Sequence, residues 1–161
     1  MNSFFSNFLQ AGLPFGVIMG VVFSLVDDWM TGTIGGILAG ILFGVTIALF
    51  VAYQSKKFTE NRPLKPDEEL IKEGGANHFF NGEAVGGWIY LTNSRLFFKS
   101  HNSNLQNHEI TIPIREIDFA ERANTFGFIP NQLRLTLRDG QIEKFVVKGS
   151  KDWVNSVKNL I

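Results

Sequence analysis

The chemistry open to this 161-residue chain rests on a few basic and imidazole side chains. Arg95 and Lys99 lie in the run Arg95-Leu96-Phe97-Phe98-Lys99-Ser100-His101, at an even spacing that sends both to one face of a β-strand. With His101 just beyond them they make a small basic set, a candidate binding face. The same pattern also describes a solvated strand face. His78, His101 and His108 are too scattered to suggest a metal site. Ser100-His101 and the acids offer no nucleophile constellation, and Gly74-Gly75 lacks the pattern of a phosphate-cradling loop. The chain has no Cys, which excludes disulfides, thiol catalysis and Cys-ligated zinc. No catalytic residue, metal or cofactor is expected.

A second candidate is apolar. Asn124-Thr125-Phe126-Gly127-Phe128-Ile129-Pro130 is unusually hydrophobic for a connection, so Phe126, Phe128 and Ile129 are expected either to touch lipid or a partner, or to cover a core edge.

The elements that must position these residues fall into two parts. All fifteen Lys and Arg lie from Lys56 onward, with thirteen of the acids, a net of +2; before them the only charges are Asp27 and Asp28. That balance gives no support for nucleic-acid binding. Residues 13–26 and 34–53 are almost wholly apolar. At ~1.5 Å per residue the second run spans roughly 30 Å, one hydrocarbon core, and the first does so only if it starts nearer Phe4. Residues 3–11 read either as an interfacial helix with Phe4, Phe5, Phe8 and Leu9 on one face, or as the first turns of that span. Pro14 should bend it. We expect a transmembrane hairpin over 1–53, with spans at about 8–26 and 34–53, and a linker over 54–68. Asp27-Asp28-Trp29 suits a turn at the membrane–water interface, and Lys56-Lys57 marks the opposite side as cytoplasmic. Both termini are then cytoplasmic.

Glycine recurs every four residues in both runs: Gly12, Gly16, Gly20, then Gly32, Gly36, Gly40, Gly44. Each ladder keeps to one helix face and makes a groove for a close neighbour, either the other span or another copy of the chain.

From residue 69 the pattern turns to strands. Gly74–Phe80, Ala84–Thr92 and Ser94–His101 come first, with Asn93 expected at positive φ in the turn. A polar loop follows over 101–108, then Ile110, Ile112 and Ile114, with Pro113 marking an edge. Residues 115–121 form a further strand with Ile117 and Phe119 inward, and 122–132 a long loop. Residues 133–138 and 142–148 pair across Asp139-Gly140. Ser150 is expected to cap a last helix burying Trp153, Val154, Val157, Leu160 and Ile161.

This stretch, with its Gly-x-x-Tyr-Leu-Thr-Asn-x-Arg-Leu-x-Phe run from Gly87, Ser-His, Ile-Pro-Ile, Asn-x-Leu-x-Leu, Asp-Gly and late Trp, resembles the GRAM domain of the pleckstrin-homology superfamily. The resemblance covers 69–161. It implies a mainly-β barrel or sandwich of about seven antiparallel strands closed by a C-terminal helix, and a lipid-headgroup or protein-binding module without catalytic activity. The first hairpin loop, Phe80-Asn81-Gly82-Glu83-Ala84, carries no base, a departure from the usual phosphoinositide site of that superfamily.

Two readings of function follow. In one, the hairpin anchors a GRAM-like module that recognises membrane lipids or a protein partner. In the other, the glycine ladders assemble a homo-oligomer or small pore, and the domain regulates it.

Overall fold

The computed structural model of the protein describes residues 3–80, 82–101 and 108–161. The chain divides into two compact units, Met1–Arg62 and Pro63–Ile161.

The first unit is a helical hairpin, α1 (Ser3–Val26) and α2 (Trp29–Glu60). Helix α1 runs unbroken from Ser3 through Pro14, so the Phe4–Leu9 stretch is the start of the first long helix and not a separate element. Only Asp27 and Asp28 separate the helices. Asp28 caps α2 by accepting the Thr31 N–H at 2.8 Å, so the turn is shorter than expected. Nor does α2 stop at Tyr53: it continues to Glu60, and the expected linker from 54 is helical over its first half. Nothing between Gln54 and Glu60 breaks a helix, and Lys56 and Glu60 face each other one turn apart at 3.7 Å. Pro63 disfavours helical geometry at Arg62, which ends it.

The glycine ladders lie against each other. A Cβ on Gly12 would sit 2.6 Å from the Gly40 carbonyl oxygen, one on Gly16 2.9 Å from that of Gly36, and one on Gly36 2.6 Å from the Gly20 Cα. Each lies closer than side chains tolerate, so the backbones touch because both faces lack Cβ atoms. Gly32, Gly36, Gly40, Gly44 and Ala48 are the buried line of α2, and Phe15 stacks on Phe43 at 4.3 Å beside it. The large apolar side chains are left outside: Leu25, Leu42 and Leu49 are exposed, and Leu13, Val17 and Ile37, also exposed, flank the groove beside the seam.

The second unit is one seven-stranded antiparallel sheet with a C-terminal helix packed on it. The strands are β1 (Leu70–Phe80), β2 (Glu83–Thr92), β3 (Arg95–Ser100), β4 (Glu109–Pro113), β5 (Ile117–Thr125), β6 (Ile129–Leu137) and β7 (Ile142–Val147), ordered β4-β3-β2-β1-β7-β6-β5. The β1–β7 pairing joins the two halves, and α3 (Ser150–Lys158) follows β7. The core draws alternate residues from every strand, among them Ile89, Leu91, Leu96, Phe98, Ile112, Ile117, Leu133, Leu135 and Phe145, with Trp153, Val154 and Val157 from α3. This is the pleckstrin-homology-like arrangement expected, with Pro113 on the edge strand β4.

Several local expectations are corrected. Residues 122–132 are not a loop: β5 and β6 continue as one long hairpin around Phe126-Gly127-Phe128, with register shifts at both ends that hydrophobic alternation does not reveal. Phe119 is exposed, because the irregularity beside Ile117 hands the inward position to Ala120. Ser150 does not cap α3; Gly149 stands there at φ 70°, and the Ser150 hydroxyl donates to the Pro130 carbonyl at 3.0 Å. Ile161 is exposed beyond the helix end. Among the described residues the only non-glycine at positive φ is Phe126, so Asn93 does not use that conformation. The polar loop expected over 101–108 falls largely on 102–107, outside the described residues, as does Asn81 of the first hairpin loop.

Candidate functional site

Arg95, Phe97 and Lys99 share one face of β3, as their even spacing predicts, but the two cations are already engaged. Arg95 forks onto the Glu68 carboxylate, Nε to Oε1 at 2.6 Å and Nη2 to Oε2 at 2.9 Å, and donates to the Pro63 carbonyl at 2.8 Å. Its guanidinium lies over the Phe97 ring, 5.2 Å from the centroid. Glu68 also accepts the Ser94 hydroxyl at 2.9 Å and the Lys65 N–H at 3.0 Å. Hydrogen bonding from Arg95 holds the Glu68 carboxyl down at about 2, against the opposing effect of burial. One turn away, Asn93 and Glu69 exchange backbone and side-chain bonds. The Thr92–Arg95 turn therefore straps residues 63–69 to the sheet, where the Glu68 N–H donates to the Lys65 carbonyl at 3.0 Å and closes a turn around Pro66. Lys99 pairs with Glu109 at 2.6 Å, half exposed.

His101 stands apart from both. It borders a depression of about 440 Å³ with Gly75, Asn77, Asn131 and Lys148. The three residues proposed from sequence as a basic set do not converge on one site.

The apolar candidate is gathered in one place. Phe126 and Phe128 flank Gly127 at the β5–β6 tip and are 83% and 75% exposed, with Ile129 beside them. Phe126 at φ 52° and Gly127 at φ 81° are two successive left-handed residues, a conformation costly for a bulky side chain. Hydrogen bonds brace the tip: Asn124 donates to the Gly127 carbonyl at 3.1 Å, Thr125 bonds Asn131 at 2.6 Å, and Arg122 and Ser150 both donate to the Pro130 carbonyl. Beneath Phe126 is a depression of about 450 Å³ lined also by Phe79, Asn124, Ile142 and Lys144. Gly82, Thr125 and Gln132 complete the lining, so the depression mixes apolar and polar groups with one cation.

One cluster was invisible in the sequence. His78, 1% exposed, lies between His108 and Glu143, Nδ1 to His108 Nε2 at 2.8 Å and Nε2 to Glu143 Oε2 at 2.7 Å. These residues are 30 and 65 positions apart, so no spacing could have paired them. Among the described residues no group of three potential ligands could hold a metal ion.

Solved structures similar to this chain include the C-terminal domain of an unknown protein from Leishmania infantum, at 15% identity and a TM-score of 0.49, covering 66% of this chain and 92% of that one. The Vps36 N-terminal PH domain is 14% identical, with a TM-score of 0.47 over 60% of this chain and 83% of its own. The Slm1-PH domain in complex with phosphoserine is 15% identical, with a TM-score of 0.46 over 56% and 94%. No curated protein matches the chain. The GRAM domain profile matches residues 53–153, well over half of the sequence. With the seven-stranded sheet and its closing helix in place, the chain belongs to the GRAM domain family.

Proposed function

We propose that this protein is a membrane-anchored binding module: α1 and α2 cross a bilayer as a hairpin, and the GRAM domain works at the cytoplasmic surface, reading lipid there. One observation carries the reading. Both helices are long and apolar enough to cross a membrane, yet they turn glycine inward and leucine, isoleucine and valine outward. In water that surface would drive aggregation; in lipid it is the natural exterior. Trp29 and Tyr53, both exposed, lie 24 residues apart on α2, roughly 36 Å at ~1.5 Å per residue, the spacing of two interfacial belts. Lys56 and Lys57 beyond Tyr53 favour the cytoplasm for that end.

The GRAM domain's contribution is assigned to the β5–β6 tip. Phe126, Phe128 and Ile129 enter the headgroup region, and the depression by Lys144 receives an anionic headgroup. Tethering to the same membrane raises the effective concentration of lipid, so even weak contacts are occupied. The Arg95 and Lys99 face is the weaker candidate, because both cations already have carboxylate partners. The glycine-driven oligomer loses its main motive, since both ladders are engaged within one chain.

The test uses the full chain in nanodiscs of zwitterionic or partly anionic lipid, with a polarity-sensitive dye on a Phe128→Cys variant. The reading predicts blue-shifted emission, quenched by lipid-borne spin labels and strengthened by anionic lipid. Emission as in water with either lipid would overturn the assignment of the tip.

A further inference from the structure

The His108–His78–Glu143 chain lies where β1 and β7 join the two halves of the sheet. Its surroundings are aromatic. His108 stacks on Phe80 at 4.4 Å, His78 stacks on Phe145 at 4.5 Å, and Phe98 closes over both rings. The backbone of His108 is tied to the end of β3: its N–H donates to the Ser100 hydroxyl at 2.9 Å, and the Ser100 N–H donates to its carbonyl at 3.0 Å. The charged groups facing the two rings are few. Strand β1 contributes His78 itself and β7 contributes Glu143. Lys99 of β3 pairs with Glu109 of β4 on the other face, and Lys144 borders the outer depression.

Proton counting shows what this geometry does. With both rings neutral and Glu143 ionised, His108 Nε2–H donates to His78 Nδ1 and His78 Nε2–H donates to Glu143. Every contact is satisfied, and His108 Nδ1 keeps only a lone pair. Add one proton. It can be drawn as an imidazolium at His108, as an imidazolium at His78 with both of its N–H groups donating, or as a protonated Glu143 donating back. In all three, the states in which the proton lies within the hydrogen-bonded chain, His108 Nδ1 carries a hydrogen. That nitrogen is buried and has no hydrogen-bond partner among the described residues. A buried N–H without an acceptor is costly, more so on a charged ring.

We propose that Glu143, His78 and His108 form a one-ended proton wire that works as an acid-triggered latch: uptake of one proton drives the His108 ring out of its cage, breaks its bond to His78 on β1 and loosens the start of β4 from the end of β3. The proton comes from water and stays on the released imidazole, and His78 keeps its bond to Glu143. The direction agrees with the titration of His108, lowered from 6.5 first by burial and then by His78, with Glu143 opposing. A base whose folded pKa is lowered stabilises the closed state above pH 6.5 and loses that contribution as the pH falls below it. The latch does not depend on what the domain binds.

The experiment is amide hydrogen exchange on the full chain in nanodiscs, at about pH 7.5 and about pH 5, with imidazole nitrogens followed by NMR. After correction for intrinsic rates, protection of the Ser100 and His108 amides should fall by roughly tenfold or more at the lower pH, while Phe145 and Leu135 stay protected. His108→Phe fills the cage and cannot titrate, so it should abolish the pH response; His108→Gln, which can still donate to His78, should do the same if the phenylalanine variant fails to fold. Should neither fold, the parent chain decides, because His108 must gain its proton in step with the loss of protection. Protection that does not change between the two pH values overturns the latch, as does an equal loss in a folded His108 variant.

Discussion

The helical hairpin and the GRAM domain solve the packing problem in opposite senses. In the domain, Leu, Ile, Phe and Trp meet in the centre and most charged side chains lie outside, because removing apolar area from water is the main stabilising term. In the hairpin the centre is glycine and the large apolar residues are outside. With the hairpin in lipid, as proposed, there is no hydrophobic drive between the helices, so what remains is close approach of backbones, and a side chain at the seam is an obstacle. A substitution that fills space should therefore damage one unit, and a substitution that empties space should damage the other.

The largest effect is expected from Gly36→Leu with Gly40→Leu. Each new side chain meets backbone of α1 closer than contact distance, so the helices must separate. Cysteines at Val17 and Ile41, both on the groove between the helices, should lose their cross-link, while the protein remains in the membrane fraction. Leu38→Ala with Leu42→Ala, on exposed positions, should leave the cross-link intact. Cross-linking at the parent level in the leucine pair would mean the ladders are only composition.

In the domain the same logic reverses. Trp153 is buried against the sheet, and Trp153→Ala should lower stability by about 3–5 kcal/mol in chemical denaturation of the full chain in detergent. A loss below ~1 kcal/mol would place the indole outside the core.

Glu68→Gln comes next, at roughly 2–4 kcal/mol, since it leaves the largely buried Arg95 without its carboxylate. The pH dependence has a definite sign. A carboxyl lowered from 4.5 to about 2 stabilises the fold above pH 4.5 and loses that contribution as the pH falls toward 2. The variant's stability should be flatter than the parent's across that window.

Phe126→Gly should act least on stability and in the favourable direction, by about 1 kcal/mol, because glycine accepts φ 52° without strain. The same change should weaken lipid contact at the tip. A variant that gained stability and kept lipid contact would detach the strained phenylalanine from function.

How far the sequence is legible follows the same division. Both apolar runs, both ladders, the order of the strands and the buried Trp153 come from periodicity, which records one-dimensional spacing well. The continuation of α2 to Glu60 is hidden by a change to polar composition that resembles a linker, although no residue there breaks a helix. The β5–β6 hairpin escaped because its register shifts disrupt alternation and its tip uses phenylalanine where turn chemistry favours glycine or asparagine. The pairing of Arg95 with Glu68, and of His78 with His108 and Glu143, depends on the fold bringing distant positions together; the basic residues were visible, but their being occupied was not.

The central claim is that the outward leucines of the hairpin face lipid. A spin label on Leu42→Cys, a position 69% exposed in the folded chain, tests it in the full protein reconstituted into nanodiscs. High accessibility to oxygen, which dissolves in the bilayer, is expected there with almost none to a water-soluble nickel chelate, and the reverse for a label at Asp139 in the β6–β7 turn. Equal access of the nickel chelate to both positions would contradict it.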